Sequence, residues 1–173
     1  MKEKFLLESP DLDVRLYSIQ ESDCENLRRW KNAHRAAFFY QGIITPDQQL
    51  DWFRKYHDRA DDFMFIVFAQ DHAIGCMGFR MIDGRADIYN VILGEAEYGG
   101  KGWMSQAIQL LCSFIYTEFS HLIVAQVITH NPALTWYRKN GFREIATREN
   151  YVEIELDLAR FCPCAFHKTA QVR

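Results

Sequence analysis

Three apolar, strand-like runs follow one another in the middle of this chain, and they constrain its fold more than any other feature. The runs are Phe63 to Ala69, Ala73 to Ile82 and Ala86 to Leu93. Short polar turns join them, at Asp71-His72 and at Asp83-Gly84, and the second pair is typical of a two-residue hairpin. Because strands joined by such short turns pair antiparallel, the sequence predicts a three-stranded antiparallel meander.

Helix-like and strand-like segments alternate on both sides of the meander. Further strands are predicted at Val14 to Ser18, Leu122 to Ile128, Phe142 to Ala146 and Tyr151 to Leu158. Helix starts are indicated by Ser22 with Glu25, by Thr45 with Pro46 and Gln48, and by Asn131 with Pro132, and Gly141 ends the last helix. The predicted order is β-α-α-β-β-β-α-β-α-β-β, which is typical of a mixed α/β (α+β) fold.

Length and charge predict one domain over residues 1–173, with a core at about 14–158 and a C-terminal tail at 159–173. The 173 residues carry a net charge of -3, which gives no reason to expect a nucleic acid or an anionic membrane as partner. No apolar run approaches the roughly 20 residues of a membrane-spanning helix, and the apolar stretch Phe5-Leu6-Leu7 is too short for a signal peptide. A cytoplasmic protein is therefore expected.

The five cysteines are odd in number and irregular in spacing, which disfavours a disulfide framework. Cys162-Pro-Cys164 with His167 resembles part of a metal site, but a fourth ligand and the usual two-residue gap are missing. We therefore predict no metal site and a plain tail.

A glycine-rich loop at Tyr98 to Met104 precedes a long amphipathic helix. Its glycines allow a ligand to approach the backbone closely, and the helix N-terminus adds unpaired N–H donors and a partial positive charge. Such a loop suits a phosphate or pyrophosphate, although a turn that binds nothing fits the pattern equally well. The absence of GKS, GKT and GxGxxG motifs disfavours nucleotide hydrolysis and dinucleotide binding.

The strand, the GGKG loop, the long helix, the next strand and the segment HNPALTWYRKNGF together resemble the acetyl-CoA-binding half of the GNAT superfamily. The earlier segment RRWKNAHRAAFFYQGIITPDQQLDWFRKY resembles the early helices of amino-sugar and protein N-terminal acetyltransferases, so the resemblance covers about Val14 to Leu158. It implies the GNAT fold, with a mixed, mostly antiparallel sheet of about seven strands flanked by helices. It also implies a V-shaped splay between the fourth and fifth strands, Ala86 to Leu93 and Leu122 to Ile128.

The resemblance implies acetyl-CoA as co-substrate and assigns its binding residues. Backbone amides of the loop would bind the pyrophosphate; the loop residues are Gly99, Gly100, Lys101, Gly102, Trp103 and Met104. The first and last of these depart from the family pattern, which has Gln or Arg first and Gly or Ala last. Either His130 or Asn131 would bind the pantetheine arm, and N–H groups near Ile92 and Leu93 would bond the thioester carbonyl.

The same resemblance identifies Tyr137 as the acid that protonates the departing thiolate, although an aromatic there also suits simple packing. A carboxylate is expected to deprotonate the attacking amine, because free alkylamines are mostly protonated near pH 7. Asp87 is the first choice for this base. Glu95, Glu97 and His57 are alternatives, and a surface role fits each of these residues as well.

The predicted function is N-acetyl transfer to a primary amine of a small molecule, such as a nucleotide-linked amino sugar. A protein N-terminus is the alternative acceptor, and a non-catalytic acyl-CoA-binding module is the rival from another class. The aromatics that could stack on an acceptor are Phe38, Phe39, Tyr40, Trp52 and Tyr56. Arg28, Arg29, Lys31 and Arg35 are expected to form a solvated helix face, although one of them could contact a diphosphate. The sequence leaves open whether the chain forms a homodimer.

Overall fold

The computed structural model describes residues 2–171, whose strands form one nine-stranded sheet. The strands are β1 (Phe5–Glu8), β2 (Val14–Ser18), β3 (Asp62–Ala69), β4 (His72–Ile82), β5 (Arg85–Leu93), β6 (Ile123–Ile128), β7 (Phe142–Thr147), β8 (Tyr151–Leu156) and β9 (His167–Ala170). The α-helices are α1 (Cys24–Ala33), α2 (Pro46–His57), α3 (Trp103–Glu118) and α4 (Ala133–Lys139). The order across the sheet is β7-β8-β6-β5-β4-β3-β2-β1-β9.

Both faces of the central meander are covered, which explains why its strands are continuously apolar in sequence. On β3, Phe65 and Val67 belong to the cluster that packs against α3, whereas Met64 and Ile66 belong to the cluster formed with α1 and α2. Successive side chains of a strand point to opposite faces, so the apolar residues of this run pack alternately into one cluster and the other. The meander and its turn at Asp83 and Gly84, with φ of 50° and 78°, confirm the predicted hairpin.

The start of α2 is also confirmed. The Thr45 hydroxyl accepts a hydrogen bond from Gln48 N at 3.2 Å, and Gln48 Oε1 accepts one from Thr45 N at 2.9 Å. The predicted box at Ser22 and Glu25 is wrong. The carboxylate of Asp23 accepts from Gln20 N at 2.8 Å, whereas Glu25 bonds the Arg28 guanidinium at 2.6 Å.

The predicted mixed α/β architecture is confirmed, but the sheet has nine strands rather than about seven. The two additional strands, β1 and β9, pair antiparallel with each other and extend the sheet beyond β2 at one edge; in sequence they lie before and after the predicted core. Between β8 and β9 the chain crosses α3, where Gln109 Nε2 donates to Cys162 O at 2.7 Å and Cys164 N donates to Ser113 Oγ at 3.0 Å. The predicted plain tail is therefore part of the sheet.

Among the strand pairs within residues 2–171, only β5–β6 is parallel, and its pairing is short. Three residues of β5, Ala86 to Ile88, pair with Ile123 to Ala125 of β6. β5 continues to Leu93 and β6 to Ile128 without further pairing to each other. The two strands therefore diverge, and the predicted V-shaped splay is present.

Candidate active site

A cavity of about 640 Å³ opens where β5 and β6 diverge. Tyr89 to Ile92 of β5 line one wall, and Gln126 to Ile128 of β6 line the other. Tyr137 and Asp87 both line the same space. The geometry of the sheet therefore brings the two predicted catalytic side chains together, although fifty residues of sequence separate them.

A β-bulge bends β5 at the cavity wall. Asn90 and Val91 together stand opposite Met77 of β4, because Cys76 pairs with Ile92 while Gly78 pairs with Tyr89. Asn90 has φ of 50°, a left-handed conformation that asparagine tolerates better than most residues. Its carbonyl accepts a hydrogen bond from Cys76 Sγ at 3.3 Å. The bulge interrupts regular pairing in the segment predicted to bond a thioester carbonyl.

Tyr137 lies near the end of α4, where Gly141, with φ of 92°, takes the conformation that ends the helix. The side chain is buried, and its ring packs at 5.0 Å from the Trp136 ring and 5.4 Å from the Phe142 ring between centroids. Burial raises the pKa of the phenol, and the nearby Cys112 and Asp87 raise it further. The hydroxyl is therefore protonated at neutral pH and can donate its proton.

Asp87 lies on β5 within the short parallel pair, opposite Val124 of β6 and Arg80 of β4. Burial raises the pKa of its carboxyl, whereas the guanidinium groups of Arg80 and Arg85 oppose this change. A half-buried carboxylate with a raised pKa is a better proton acceptor than a solvated one.

The glycine-rich loop has the open backbone expected of an anion site. Gly100 and Gly102 have φ of 74° and 77°, and a Cβ built at either position meets no atom within 4 Å. Gly102 is the N-cap of α3, and the first helical bond joins Gln106 N to Gly102 O. The N–H groups of residues 103–105 therefore lack partners within the helix. The space beside the backbone at Gly100 and Gly102, where a phosphate would bind, is therefore free of side chains.

The cavity does not reach all the predicted co-substrate residues. Ile92 and Asn131 line it, while Leu93, His130 and the loop from Gly99 to Met104 lie outside its lining. Asn131 Oδ1 accepts from Ala133 N at 2.9 Å, and its Nδ2 donates to Ala37 O at 3.4 Å. His130 is exposed.

Aromatic side chains close the end of the cavity that faces α1 and α2. Phe38, Phe39, Tyr40 and Trp52 line it. Tyr56, which we predicted with this group, is buried instead, and its hydroxyl accepts from Met64 N at 3.0 Å. Four of the five predicted aromatics therefore face the same space.

The three alternative bases lie outside the cavity lining. Glu95 accepts from Trp30 Nε1 at 2.9 Å and forms an ion pair with Arg29, so it ties α1 to the loop after β5. Glu97 is exposed, and His57 packs edge-on against Phe53 with ring centroids 4.7 Å apart. Asp87 is the one carboxylate that lines the cavity within residues 2–171.

Sequence reasoning missed two cations in the cavity wall, Lys31 and Arg80. Lys31 was expected on a solvated helix face, but it is half-buried and its Nζ donates to Asn90 Oδ1. The sequence did contain a signal, because Lys31 lies four residues after Leu27, and residues at this spacing share one face of a helix. Leu27 is buried and lines the same cavity.

Within residues 2–171, no helix is long and apolar enough to span a bilayer. No cluster of three or more histidine, cysteine, aspartate or glutamate side chains in that range is arranged to hold a metal ion.

Comparison with known proteins gives one family match and several structural likenesses. A sequence model of the family described as "Acetyltransferase (GNAT) domain" matches residues 13–143. The spermidine N-acetyltransferase from Vibrio cholerae, in complex with CoA and spermine, superposes with a TM-score of 0.69 at 19% identity, covering 83% of this chain and 92% of that chain. A sequence search of curated proteins finds no significant match.

Two further structures are similar over almost the whole chain. RimL, a ribosomal L7/L12 alpha-N-protein acetyltransferase in complex with coenzyme A, has a TM-score of 0.69 at 17% identity, covering 91% of this chain and 94% of that chain. Apo FdhC, a nucleotide-linked sugar GNAT, has a TM-score of 0.73 at 16% identity, covering 93% of both chains. At these identities the likeness shows a shared fold.

Proposed function

This chain belongs to the GNAT acetyltransferase family and is an acetyl-CoA-dependent N-acetyltransferase, and from that premise we propose that it acetylates a primary amine of a small molecule. The observation that carries this proposal is the cavity at the splay. The buried phenol of Tyr137 and the half-buried carboxylate of Asp87, which lies on the bulged strand β5, both line it, together with aromatic rings.

The donor would enter along the splay. Amides at Gly99 to Met104 would bind the pyrophosphate, which the open φ-positive backbone and the N-terminus of α3 favour. Asn131 is the better candidate for the pantetheine arm, because it lines the cavity while His130 is exposed. Backbone N–H groups near Ile92 and Leu93 would bond the thioester carbonyl at the bulge.

The reaction would proceed by direct attack of the amine on the thioester carbonyl. Asp87 accepts a proton from the substrate ammonium, and the neutral amine then bonds the carbonyl carbon while the N–H groups near Ile92 stabilise the negative oxygen. When this intermediate collapses, the C–S bond breaks and Tyr137 gives its proton to the thiolate. Of the two protons left on nitrogen, one restores the Tyr137 phenol and the other stays on the amide, while Asp87 releases its proton to solvent. Holding amine and thioester together supplies much of the remaining acceleration.

A nucleotide-linked amino sugar is the acceptor class that we favour. Aromatic rings at the cavity end suit stacking on a sugar or a base. Two cations, Lys31 and Arg80, line the cavity with only one carboxylate, which disfavours a polycation such as a polyamine. FdhC, whose fold is similar, is described as a nucleotide-linked sugar GNAT.

A peptide N-terminus is the second candidate. Phe39 and Tyr40 line the cavity and are 57–58% exposed, and such an apolar rim suits the first side chains of a peptide. RimL, the likeness described as a protein alpha-N-acetyltransferase, points to the same class.

The decisive first test is acetyl-CoA binding by calorimetry. Gly102→Glu puts bulk and negative charge into the proposed phosphate site and is expected to abolish binding. Gly84→Glu is the matched control, because Gly84 has φ of 78° and equally open surroundings but lies in the β4–β5 hairpin. The control should bind acetyl-CoA as the wild type does.

The wild type would then be tested on a nucleotide-linked amino sugar, a peptide with a free N-terminus and spermidine. Turnover fastest with the sugar supports the proposal, and turnover fastest with the peptide selects the second candidate. A folded wild type that binds no acetyl-CoA would overturn the donor site, and binding without turnover of any amine would indicate a non-catalytic acyl-CoA-binding module.

A further inference from the structure

Lys31 is an ammonium group held at the wall of the cavity without a carboxylate partner. Its Nζ lies 3.4 Å from the centroid of the Phe38 ring and donates to Asn90 Oδ1. Among residues 2–171, no carboxylate lies within ion-pair distance of it. An ammonium has three donors, so two of them have no acceptor within the described part of the chain.

Arg80 adds a second positive charge to the same wall. Its guanidinium carbon lies 3.8 Å from the Tyr89 ring centroid, and its Nε lies 3.5 Å from Asp62 Oδ2. Asp62 is already shared with Arg59 at 3.4 Å and with the Tyr89 hydroxyl. Asp62 therefore serves two guanidinium groups, and Asp87, opposite Arg80 on β5, is the second carboxylate near it. With Lys31, this region of the wall carries three positive charges and two negative ones, so a net positive charge remains.

Arg80 affects how tightly Lys31 holds its proton. Burial lowers the pKa of Lys31 to about 8; the Cys76 thiol opposes this change and the Arg80 guanidinium adds to it. A half-buried cation beside a second cation is costly unless an anion approaches both. The rings of Phe38 and Tyr89 hold the two groups in place, one against each cation.

We propose that Lys31 and Arg80 form an anion subsite at the acceptor end of the cavity, which selects amines that carry a phosphate or a carboxylate. This inference rests on the proposed acetyltransferase function and narrows its acceptor class. The anion would accept hydrogen bonds from the unused Lys31 donors and leave the amine of the same molecule free to reach Asp87.

The test compares acceptor pairs that differ only in the anion. Glucosamine 1-phosphate is compared with glucosamine for the phosphate, and 4-aminobutanoate with 4-aminobutanamide for the carboxylate. Lys31→Met keeps the length of the side chain and removes its charge. Lys55→Met is the matched control, because Lys55 is 71% exposed on α2 and pairs only with Asp51.

The wild type is expected to prefer the anionic member of at least one pair, and the pair concerned identifies phosphate or carboxylate. Lys31→Met should lower kcat/KM for that member about ten-fold or more, mainly through KM, and leave the neutral member within about two-fold. Lys55→Met should change neither. The preference of the wild type should weaken above about pH 8, where Lys31 loses its proton while Arg80 keeps its charge.

An equal loss for both members of a pair would overturn the inference and assign Lys31 to support of the Asn90 bulge, as would no loss at all. If no amine is acetylated, the proposed function fails, and the subsite is read separately by titrating inorganic phosphate and acetate into protein saturated with CoA. Binding that Lys31→Met removes and Lys55→Met retains would still support the subsite. Absence of such binding would overturn it.

Discussion

At the scale of single residues, Asp87 is placed where its proton affinity matters to both catalysis and stability. As the proposed base it must be deprotonated, so kcat/KM falls as the pH drops through its pKa. Burial raises that pKa, so the acid limb should lie above the ordinary aspartate value of about 3.9. Asp87→Asn should remove the limb and lower kcat/KM about 10²- to 10⁴-fold. A pH profile of both proteins checks this, and an unchanged limb would assign the base elsewhere.

The raised pKa of Asp87 affects stability in the opposite direction, because stability decreases as the pH rises. The folded chain binds the Asp87 proton more tightly than the unfolded chain, so the free energy of unfolding from this group declines as the pH rises through the folded pKa. At pH 7, Asp87→Asn should therefore have an equal or higher Tm than the wild type. A lower Tm at pH 7, measured by thermal unfolding, would contradict the burial effect.

Tyr137 offers a substitution that removes one oxygen and little packing. Tyr137→Phe keeps the ring contacts with Trp136 and Phe142, so acetyl-CoA binding and stability should stay close to wild type. Loss of the proton donor should lower kcat about 10²-fold. Tyr116→Phe, whose ring stacks on His121 at 4.0 Å, is the control and should retain kcat. Equal kcat values in the two variants would remove Tyr137 from the mechanism.

The sequence could predict which residues line the cavity only where a motif determined their position. Tyr137 could be named because it lies four residues before Gly141-Phe142, and it does line the cavity. Lys31 was misassigned because a lysine on an amphipathic helix is usually solvated. Its burial depends on Phe38 and Asn90, two residues whose approach is decided by packing of α1 on β5 and the loop after α1.

At the scale of elements, the bulge in β5 depends on the left-handed conformation of Asn90. Asn90→Gly and Asn90→Ala both remove the amide that Lys31 contacts, but only alanine is strained at φ of 50°. Asn90→Ala should therefore lose about 1 kcal/mol of unfolding free energy relative to Asn90→Gly, and it should also have the lower kcat. Denaturant unfolding and steady-state kinetics measure the two effects. Equal stability and kcat would mean that the conformation of residue 90 is unimportant.

Elements whose signals are local could be predicted, and others could not. The start of α2 depends on Thr45 and Gln48, which contact each other directly. The capping box before α1 was misassigned because Gln20–Asp23 and Ser22–Glu25 offer the same spacing. Only the first pair forms in the folded chain, where it caps the 3₁₀ turn Glu21–Asp23 that leads into α1. The bulge at Asn90 could not be predicted, because an asparagine within an apolar strand does not by itself indicate that the strand contains an extra residue.

At the scale of the whole molecule, stability and the proposed chemistry depend on different regions. Phe166, on the segment that crosses α3, packs against Phe114 at 5.9 Å between ring centroids, whereas no residue after Tyr137 lines the cavity within residues 2–171. Phe166→Ala should lower the free energy of unfolding by about 2 kcal/mol, less than for a fully buried ring, and leave kcat/KM unchanged.

Phe39→Ala is expected to have the reverse effects of Phe166→Ala on stability and on kinetics. Phe39 is 58% exposed and lines the cavity, so its loss should change the free energy of unfolding by no more than about 0.5 kcal/mol. Its removal should raise KM for the acceptor. The pair of variants is compared by denaturant unfolding and kinetics, and a loss of both properties in either variant would contradict the separation.

The outer strands of the sheet mark the limit of prediction from sequence at this scale. Phe5–Glu8 is four residues long, and His167–Ala170 is exposed throughout and contains no apolar alternation. β9 becomes a strand by pairing with β1 across about 160 residues of sequence, whereas β1 also pairs with the nearby β2. Pairing over that separation leaves no periodic pattern in either segment.

This pairing has a consequence for how the protein is made. β1 is synthesised about 160 residues before β9, the strand that covers its outer edge. β2 is available early, so one side of β1 is paired during synthesis while the other presents unpaired N–H and C=O groups. The nascent chain therefore presents an unpaired strand edge until β9 has been synthesised, and β9 then covers it.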